Sequence, residues 1–458
     1  MKNIFIYILL IFMFLFDINV FAKDLLITNA KLVIDSETFR ENMQTNTKLS
    51  IDYEANIHEN ISIYRTTYGR KEPIIIFFKD VDIDEIKSEL EGLDYKTYDA
   101  EGKWVTSGIF APFSYLGMAD IGGEDLTNDI RSPGSLTSVS ENASDNFNPS
   151  SVFIANNRRH GITHAAISLA AAGNSIFAGT GSIVNLTGKY NSIVKETAFV
   201  LVQLGQQGTL NSGGSRAASL LQLRNGLEVA NCNINSGRNC ENSLIRAISN
   251  INNNSALSIY ESDHLIPVIR GNIPLVISVE RAVDIINVIE LKNSFSKLDI
   301  ILLGASEAWK VADTLAENNI KVMIDPHNNL PTSFETVDSS LKNIIILDEA
   351  EVDYAITNLS ALGLQGVGTL TQHAGNAVGN GLDWNKSFAA ITSTPARWFN
   401  IPLINNSLVI WDGDPLNITS TPVRMFINGE EQSLTSRQTL LRDRYNPNTN
   451  SDKLHKYR

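Results

Sequence analysis

Cysteine is almost absent from this chain of 458 residues, which has only Cys232 and Cys240. A disulfide-dense secreted scaffold is thereby excluded. The pair stands in Asn-Cys-Asn-Ile-Asn-Ser-Gly-Arg-Asn-Cys. In an oxidising compartment a disulfide would close this short polar loop, and two free thiols in a surface loop are the other reading. No second ligand pair accompanies them, which argues against a metal knuckle. Basic charge is in deficit, with 37 Lys and Arg against 50 Asp and Glu, a net charge of −13. That balance speaks against nucleic acid or an anionic membrane surface as partner. There is no Gly-x-Ser-x-Gly elbow, no Walker loop and no internal repeat of fixed period. Ala178-Gly-Thr-Gly-Ser is Gly-rich but lacks the Lys that phosphate binding uses, and it reads as a tight turn.

Long hydrophobic runs are missing except at the start. Ile4 to Phe16 is unbroken and apolar, preceded by Lys2 and followed by Val20-Phe21-Ala22. This fits a secretory signal, residues 1–22, cleaved after Ala22. The run is short for a membrane span, and an uncleaved anchor is the alternative. The mature protein is expected to be exported, periplasmic if the source is a Gram-negative bacterium and otherwise extracellular, with no membrane association once the signal is removed. Hydrophobic residues make up 43% and charged residues 19%, the balance of a globular chain.

Residues 24 to about 104 read as β-rich. Leu25–Ile34 and Ile74–Phe78 are strand-like, and Asp82–Leu90 is a small helix. From about 105 to 400, short apolar strands alternate with helices. Pro149–Arg159 is expected to be a helix capped by Asn148. Strands are expected at 162–168, 183–186, 274–279, 298–303, 320–325 and Ile344–Leu347. Helices are expected at 281–292 and 307–317. This alternation predicts a parallel sheet with crossover helices, and its length suits a (β/α)₈ barrel. Strand character returns at Ser407–Trp411 and Val423–Ile427, ending at Asn428-Gly429. From Ser433 the chain becomes polar and basic.

Several landmarks then line up in order. They are Gly102-Lys-Trp-Val-Thr-Ser-Gly, Asn157-Arg-Arg-His-Gly-Ile-Thr-His164, Ala178-Gly-Thr-Gly-Ser-Ile-Val184, and the stretch from Arg270 through Ser278-Val-Glu-Arg281 to Ile285. Glu307–Asp313, Thr392-Ser-Thr-Pro-Ala-Arg397 and Trp411-Asp-Gly-Asp-Pro-Leu416 follow. Together they resemble the amidohydrolase superfamily, in its imidazolonepropionase-like branch, over nearly the whole mature chain. The resemblance implies an α/β fold, a TIM-like barrel over 105–400. Beside it stands a composite β-sandwich from 23–104 and 401–432, with a polar tail over 433–458. It also implies hydrolysis of a non-peptide carbon–nitrogen bond, such as a cyclic amide, by metal-activated water.

The same resemblance exposes a gap. The first metal-binding histidine pair falls on Phe113 and Tyr115. The next falls on Ser278 and Glu280, and a further ligand position falls near Leu303. The last catalytic Asp falls near Asn358. Phe and Leu have no donor atom, and neutral Tyr and Ser are poor ligands, so a zinc shell of three or four donors is not available. No metal and no other cofactor is expected, and Zn²⁺ enters only if hydrolysis survives. Catalytic residues cannot be assigned. Candidate ligand-binding residues are Glu280, Arg281, Asp325, His327, His164 and His373. His164 reads more readily as a hydrogen-bonded core histidine, Asp325-Pro-His327 as ordinary turn residues, and His160 as a helix C-terminal cap. The sequence thus supports a degenerate hydrolase or, as the alternative, a module that binds a small molecule in the barrel mouth or a protein. Self-association into a homo-oligomer is compatible with either.

Overall fold

Two eight-stranded sheets organise the chain. The structure, a computed structural model, describes residues 24–34, 57–67, 73–79, 81–121, 123–132, 138–236, 259–359 and 366–446. Residues 1–22, read above as an export signal, Cys240 and the tail beyond 446 lie outside the described residues. Cys232 is disulfide-bonded and sits in the last turns of the helix Arg216–Ser236.

The first sheet takes its strands from both chain ends. It contains β1 (Asp24–Val33), β2 (Ile57–Thr66), β3 (Ile74–Lys79), β4 (Tyr95–Asp99) and β5 (Trp104–Ser107). The later chain adds β14 (Ser407–Trp411), β15 (Pro422–Ile427) and β16 (Glu430–Glu431). The two halves join where β14 runs antiparallel to β5, with Leu408 opposite Ser107 and Trp411 opposite Trp104. Each half alone would leave an unpaired edge and half a core. The strands form one sheet that forks at β1, where β4 and β5 pair in turn along one edge and β2 pairs along the other. Leu25, Ile27, Ile63, Phe77, Leu408 and Phe426 pack into one core cluster. Leu26 and Tyr64 pack in another with Ile86 of the helix Ile83–Glu89.

The second sheet is the barrel. In order it runs β6 (Ile109–Ser114), β7 (Ile162–Ile167), β8 (Phe177–Asn185), β9 (Ile193–Gln203), β10 (Leu275–Val279), β11 (Ile300–Gly304), β12 (Lys321–Ile324) and β13 (Tyr354–Ile356). All neighbouring pairs are parallel except those of β8, which is antiparallel to both β7 and β9. The barrel class is as expected, and the expectation of a wholly parallel sheet is corrected at this one strand. The fully buried, near-continuous apolar strands β10 and β11 match a sheet covered on both faces. Among the described residues no helix is long and apolar enough to cross a membrane.

Several local readings are corrected. Ile344–Leu347 lies in a helix, Asn343–Glu349, because Ile344 and Leu347 face the core while Ile345 and Ile346 between them are half-buried. A four-residue apolar run fits either state, and here its burial has the helical period. The Gly-rich stretch from Ala178 is not a tight turn but part of β8, where Gly179 has φ +81° and Gly181 lies against the Phe199 ring. The helix after Asn148 begins only at Val152, and the Asn148 side chain accepts from Ser150 N instead. The helix expected over 307–317 breaks at Val311 into a 3₁₀ turn and a short α-helix.

Trp411 fastens the two sheets together. It ends β14, is 1% exposed and belongs to the barrel's core cluster. Its indole N–H donates to Thr106 Oγ1 at 2.9 Å. Gly161, with φ +92°, leaves room for the ring, since a Cβ there would stand 2.4 Å from it. Trp411→Ala is therefore expected to cost about 3–5 kcal/mol. Urea denaturation of the variant checks this, and a loss below about 1 kcal/mol would show that the ring is not the fastening described.

Candidate functional site

The chemistry-bearing side chains gather at the C-terminal ends of β10 to β13, the face on which barrels of this kind build their sites. Asp325 directly follows β12. Glu280 directly follows β10, and Ser306 stands two residues beyond β11. They line a polar cavity of about 100 Å³ with Asn328, Thr336 and Asn343.

Glu280 dominates it. Its Oε2 accepts from the backbone N–H of Ser306 at 3.0 Å and from the Ser306 hydroxyl. Burial pushes the carboxyl up to about 7, against those two hydrogen bonds and together with the negative charges of Glu335 and Asp325. Gly304, at φ +96°, holds a backbone conformation that strains any L side chain, and a Cβ there would also crowd Glu280 Oε1 at 2.3 Å. Glu280 thus fills the space beside Leu303-Gly304, where the resemblance placed a further ligand.

Asp325 behaves differently. Burial raises its pKa, but His373, whose Nδ1 lies 3.1 Å from Oδ1, and the backbone N–H groups of Leu359 and His327 outweigh that and hold it below the usual carboxylate value. Among the described residues Nδ1 of the buried His373 has no other hydrogen-bond partner, so this approach to Asp325 is its one polar contact. His327 is exposed, and its ring stands edge-on to His373 at 5.4 Å. Below Glu280, buried Glu335 is tied by Arg216, which also bonds Asp284 at 3.1 Å. Asn343 donates to the carbonyls of Ala305 and Ser306, leaving its Oδ1 without a partner.

Phe113 and Tyr115 are both buried, with ring centroids 5.3 Å apart in an edge-to-face pair. A bulge in β6 between Ala111 and Ser114 re-aims this stretch of the strand. Burial pushes the Tyr115 hydroxyl up to about 12, so it stays a neutral phenol. Ser278 stands opposite Leu303 on the β10–β11 ladder, and Leu303 is buried. Among the described residues no group of three or more His, Cys, Asp or Glu side chains is placed to hold a metal ion. The remaining donors do not make a zinc shell: Glu280 Oε1 is uncommitted and His373 Nδ1 meets only Asp325, but they do not converge with a third ligand, and the aromatic pair offers no nitrogen.

Of the sequence candidates, the structure gathers Glu280 and Asp325 at the cavity and sets His373 and His327 around Asp325. It does not bring in His164. That side chain is 1% exposed, stacks on Phe110 and contacts Thr163 Oγ1 at 3.1 Å. Burial pushes it down to about 4, so it is a neutral core histidine. Arg281 precedes the helix Ala282–Ser294 and is outside the cavity lining. Asn358 bonds Thr369 at 2.9 Å. Sequence reasoning missed Ser306, Asn343 and Glu335. Asn343 was hidden by reading the following apolar run as a strand, and nothing local marks the other two.

No family model matches the chain, and no curated protein matches it. Solved structures do. An amidohydrolase from Thermotoga maritima MSB8 superposes with a TM-score of 0.69 at 18% identity, over 89% of this chain and 99% of that one. A prolidase crystallised with N-methylphosphonate-L-proline gives 0.50 at 11% identity, over 89% and 99%. At these identities the likeness is one of fold.

The raised Glu280 pKa has a stability consequence. The folded state holds this proton more tightly than the unfolded chain does. The stability it contributes is therefore full below the ordinary carboxylate pKa and is lost as pH rises toward 7. Glu280→Gln removes the ionisation, so the variant should gain on wild type between pH 5 and pH 8 by on the order of 1–3 kcal/mol. Denaturant melts at the two pH values test this. A difference that does not change with pH would mean Glu280 titrates as an ordinary carboxylate.

Proposed function

We propose that this chain is a member of the amidohydrolase superfamily that has given up metal-assisted hydrolysis and binds a small molecule in its barrel mouth, in the compartment to which residues 1–22 export it. The fold likeness to an amidohydrolase supports the superfamily. One observation carries the rest, the buried Phe113–Tyr115 pair where the first two imidazoles would stand. Water activated by zinc needs three protein ligands and an open position, and this donor set supplies neither. What remains at the mouth is a small polar cavity with a near-neutral carboxyl, suited to holding a ligand by hydrogen bonds.

A residual hydrolase is the second reading. Glu280 favours it, since a carboxyl titrating near 7 has the pKa of a general acid or base.

Metal analysis of purified protein, with a panel of cyclic amides assayed with and without chelator, separates the two. We expect substoichiometric metal and no chelator-sensitive turnover. We also expect that Phe113→His with Tyr115→His creates no activity, because Ser278 and Leu303 still leave the shell incomplete. Stoichiometric, tightly held zinc, or a cyclic-amidase activity abolished by chelation, would overturn the proposal.

A further inference from the structure

We infer that the cavity beyond β10, β11 and β12 is a metal-free subsite for the cationic head of a ligand, a nitrogen cation such as a guanidinium or primary ammonium, held by Glu280 and Asn343. This rests on the small-molecule-binding reading and specifies its ligand class.

Size comes first. A volume of about 100 Å³ holds several waters or one compact head group. It is well below the several hundred Å³ of sites that enclose a whole drug-sized ligand. A head group would enter, and the rest of the ligand would stay outside.

The free hydrogen-bonding capacity decides the chemistry. Glu280 spends Oε2 on Ser306, and its Oε1 accepts from no described protein group. Asn343 is 3% exposed, lines the cavity, and has an unpartnered Oδ1 while both its donor bonds go to the carbonyls of Ala305 and Ser306. A buried acceptor without a donor costs free energy, so this atom calls for a donor from outside the protein. Asn343 Oδ1 is an acceptor, and Glu280 Oε1 is one once the carboxyl ionises, so the pair matches a group rich in N–H donors that favours the ionised form.

The charges give the sign. The negative charges of Glu335 and Asp325 act on Glu280 and make the site attractive to a positive group. Glu335 is neutralised by Arg216, and Asp325 faces His373 and the exposed His327. None of the residues lining the cavity is Lys, Arg or His. A cation would meet the Glu280 carboxyl with no basic side chain in the lining to compete for it, whereas an anion would find no cationic partner there.

Calorimetric titration of the full chain with methylguanidinium, methylammonium and urea tests the inference. Urea copies the shape and donors of guanidinium without its charge. Either cation should bind saturably and at least about tenfold more tightly than urea, and Glu280→Gln should weaken cation binding by about tenfold or more. The comparison on wild-type protein stands even if the variant does not fold. Equal binding of urea and the cations, no binding of either cation, or cation binding unaffected by Glu280→Gln would overturn it. Capture of neutral polyols instead would end this inference and leave the small-molecule reading intact. Stoichiometric zinc in the same preparation would end both.

Discussion

The barrel depends on a seam. An eight-stranded sheet has two edges, and burying both without partners would orphan a row of backbone groups. Here β6 and β13 are the edges, and β13 is only three residues long. The chain closes the gap with a turn rather than a strand. Phe110 N donates to Ile391 O, and Ile356 N donates to Ala390 O, both at 2.9 Å. Thr392 holds that turn through its hydroxyl, bonded to Phe388 O at 2.7 Å. Phe399, at the far end of the following helix, stacks on Phe110 from β6. Once the seam is sealed, the parallel strands deliver their C-terminal ends to one mouth. The position of the cavity follows from that closure and not from the residues that line it.

Within the frame, the aromatic pair Phe113 and Tyr115 sets the character of one side of the mouth. Two histidines around a metal need water, charge and second-shell partners. Phe113 and Tyr115 need only packing, and they find it in each other and in the barrel's main core cluster. The polar business of the mouth therefore concentrates on the β10–β12 side. There Gly304 yields its side-chain space to Glu280, and Asn343 from the next helix braces the Ala305–Ser306 backbone. One side of the mouth is apolar packing and the other is a polar cavity.

Much of the fold was legible in the sequence. The alternation of apolar strands and helices, the return of β14 to β5, and the Asn428-Gly429 turn, both residues at positive φ, all have local signals. Other elements carried misleading ones. Asn225-Gly226, a dipeptide that favours turns, lies in the middle of the helix Arg216–Ser236, and Leu223 and Leu227 anchor that stretch through tertiary burial. At the site, Glu280 and Asp325 were readable because each directly follows an apolar strand. Asn343 and Glu335 were not, because their roles come from loops and helices that converge only in three dimensions. His164 was readable only as an ambiguity, since a strand position does not say which face is the core.

The two carboxylates at the mouth have pKa values displaced in opposite directions, a pattern that in hydrolases assigns a general acid and a base. Geometry argues against that assignment here. Asp325 owes its lowered pKa to His373 and to the backbone N–H groups of His327 and Leu359. Its oxygens are engaged in fixing the loop after β12 to the segment after β13, and little accepting capacity is left for a substrate or a water. Glu280 owes its raised pKa first to burial, and it keeps one oxygen uncommitted. A catalytic pair needs both groups free to meet the reacting atoms, whereas a binding site needs only one. Glu280 is the group in this mouth whose cost of ionisation a ligand could relieve, and relief of that cost is what a cationic partner supplies.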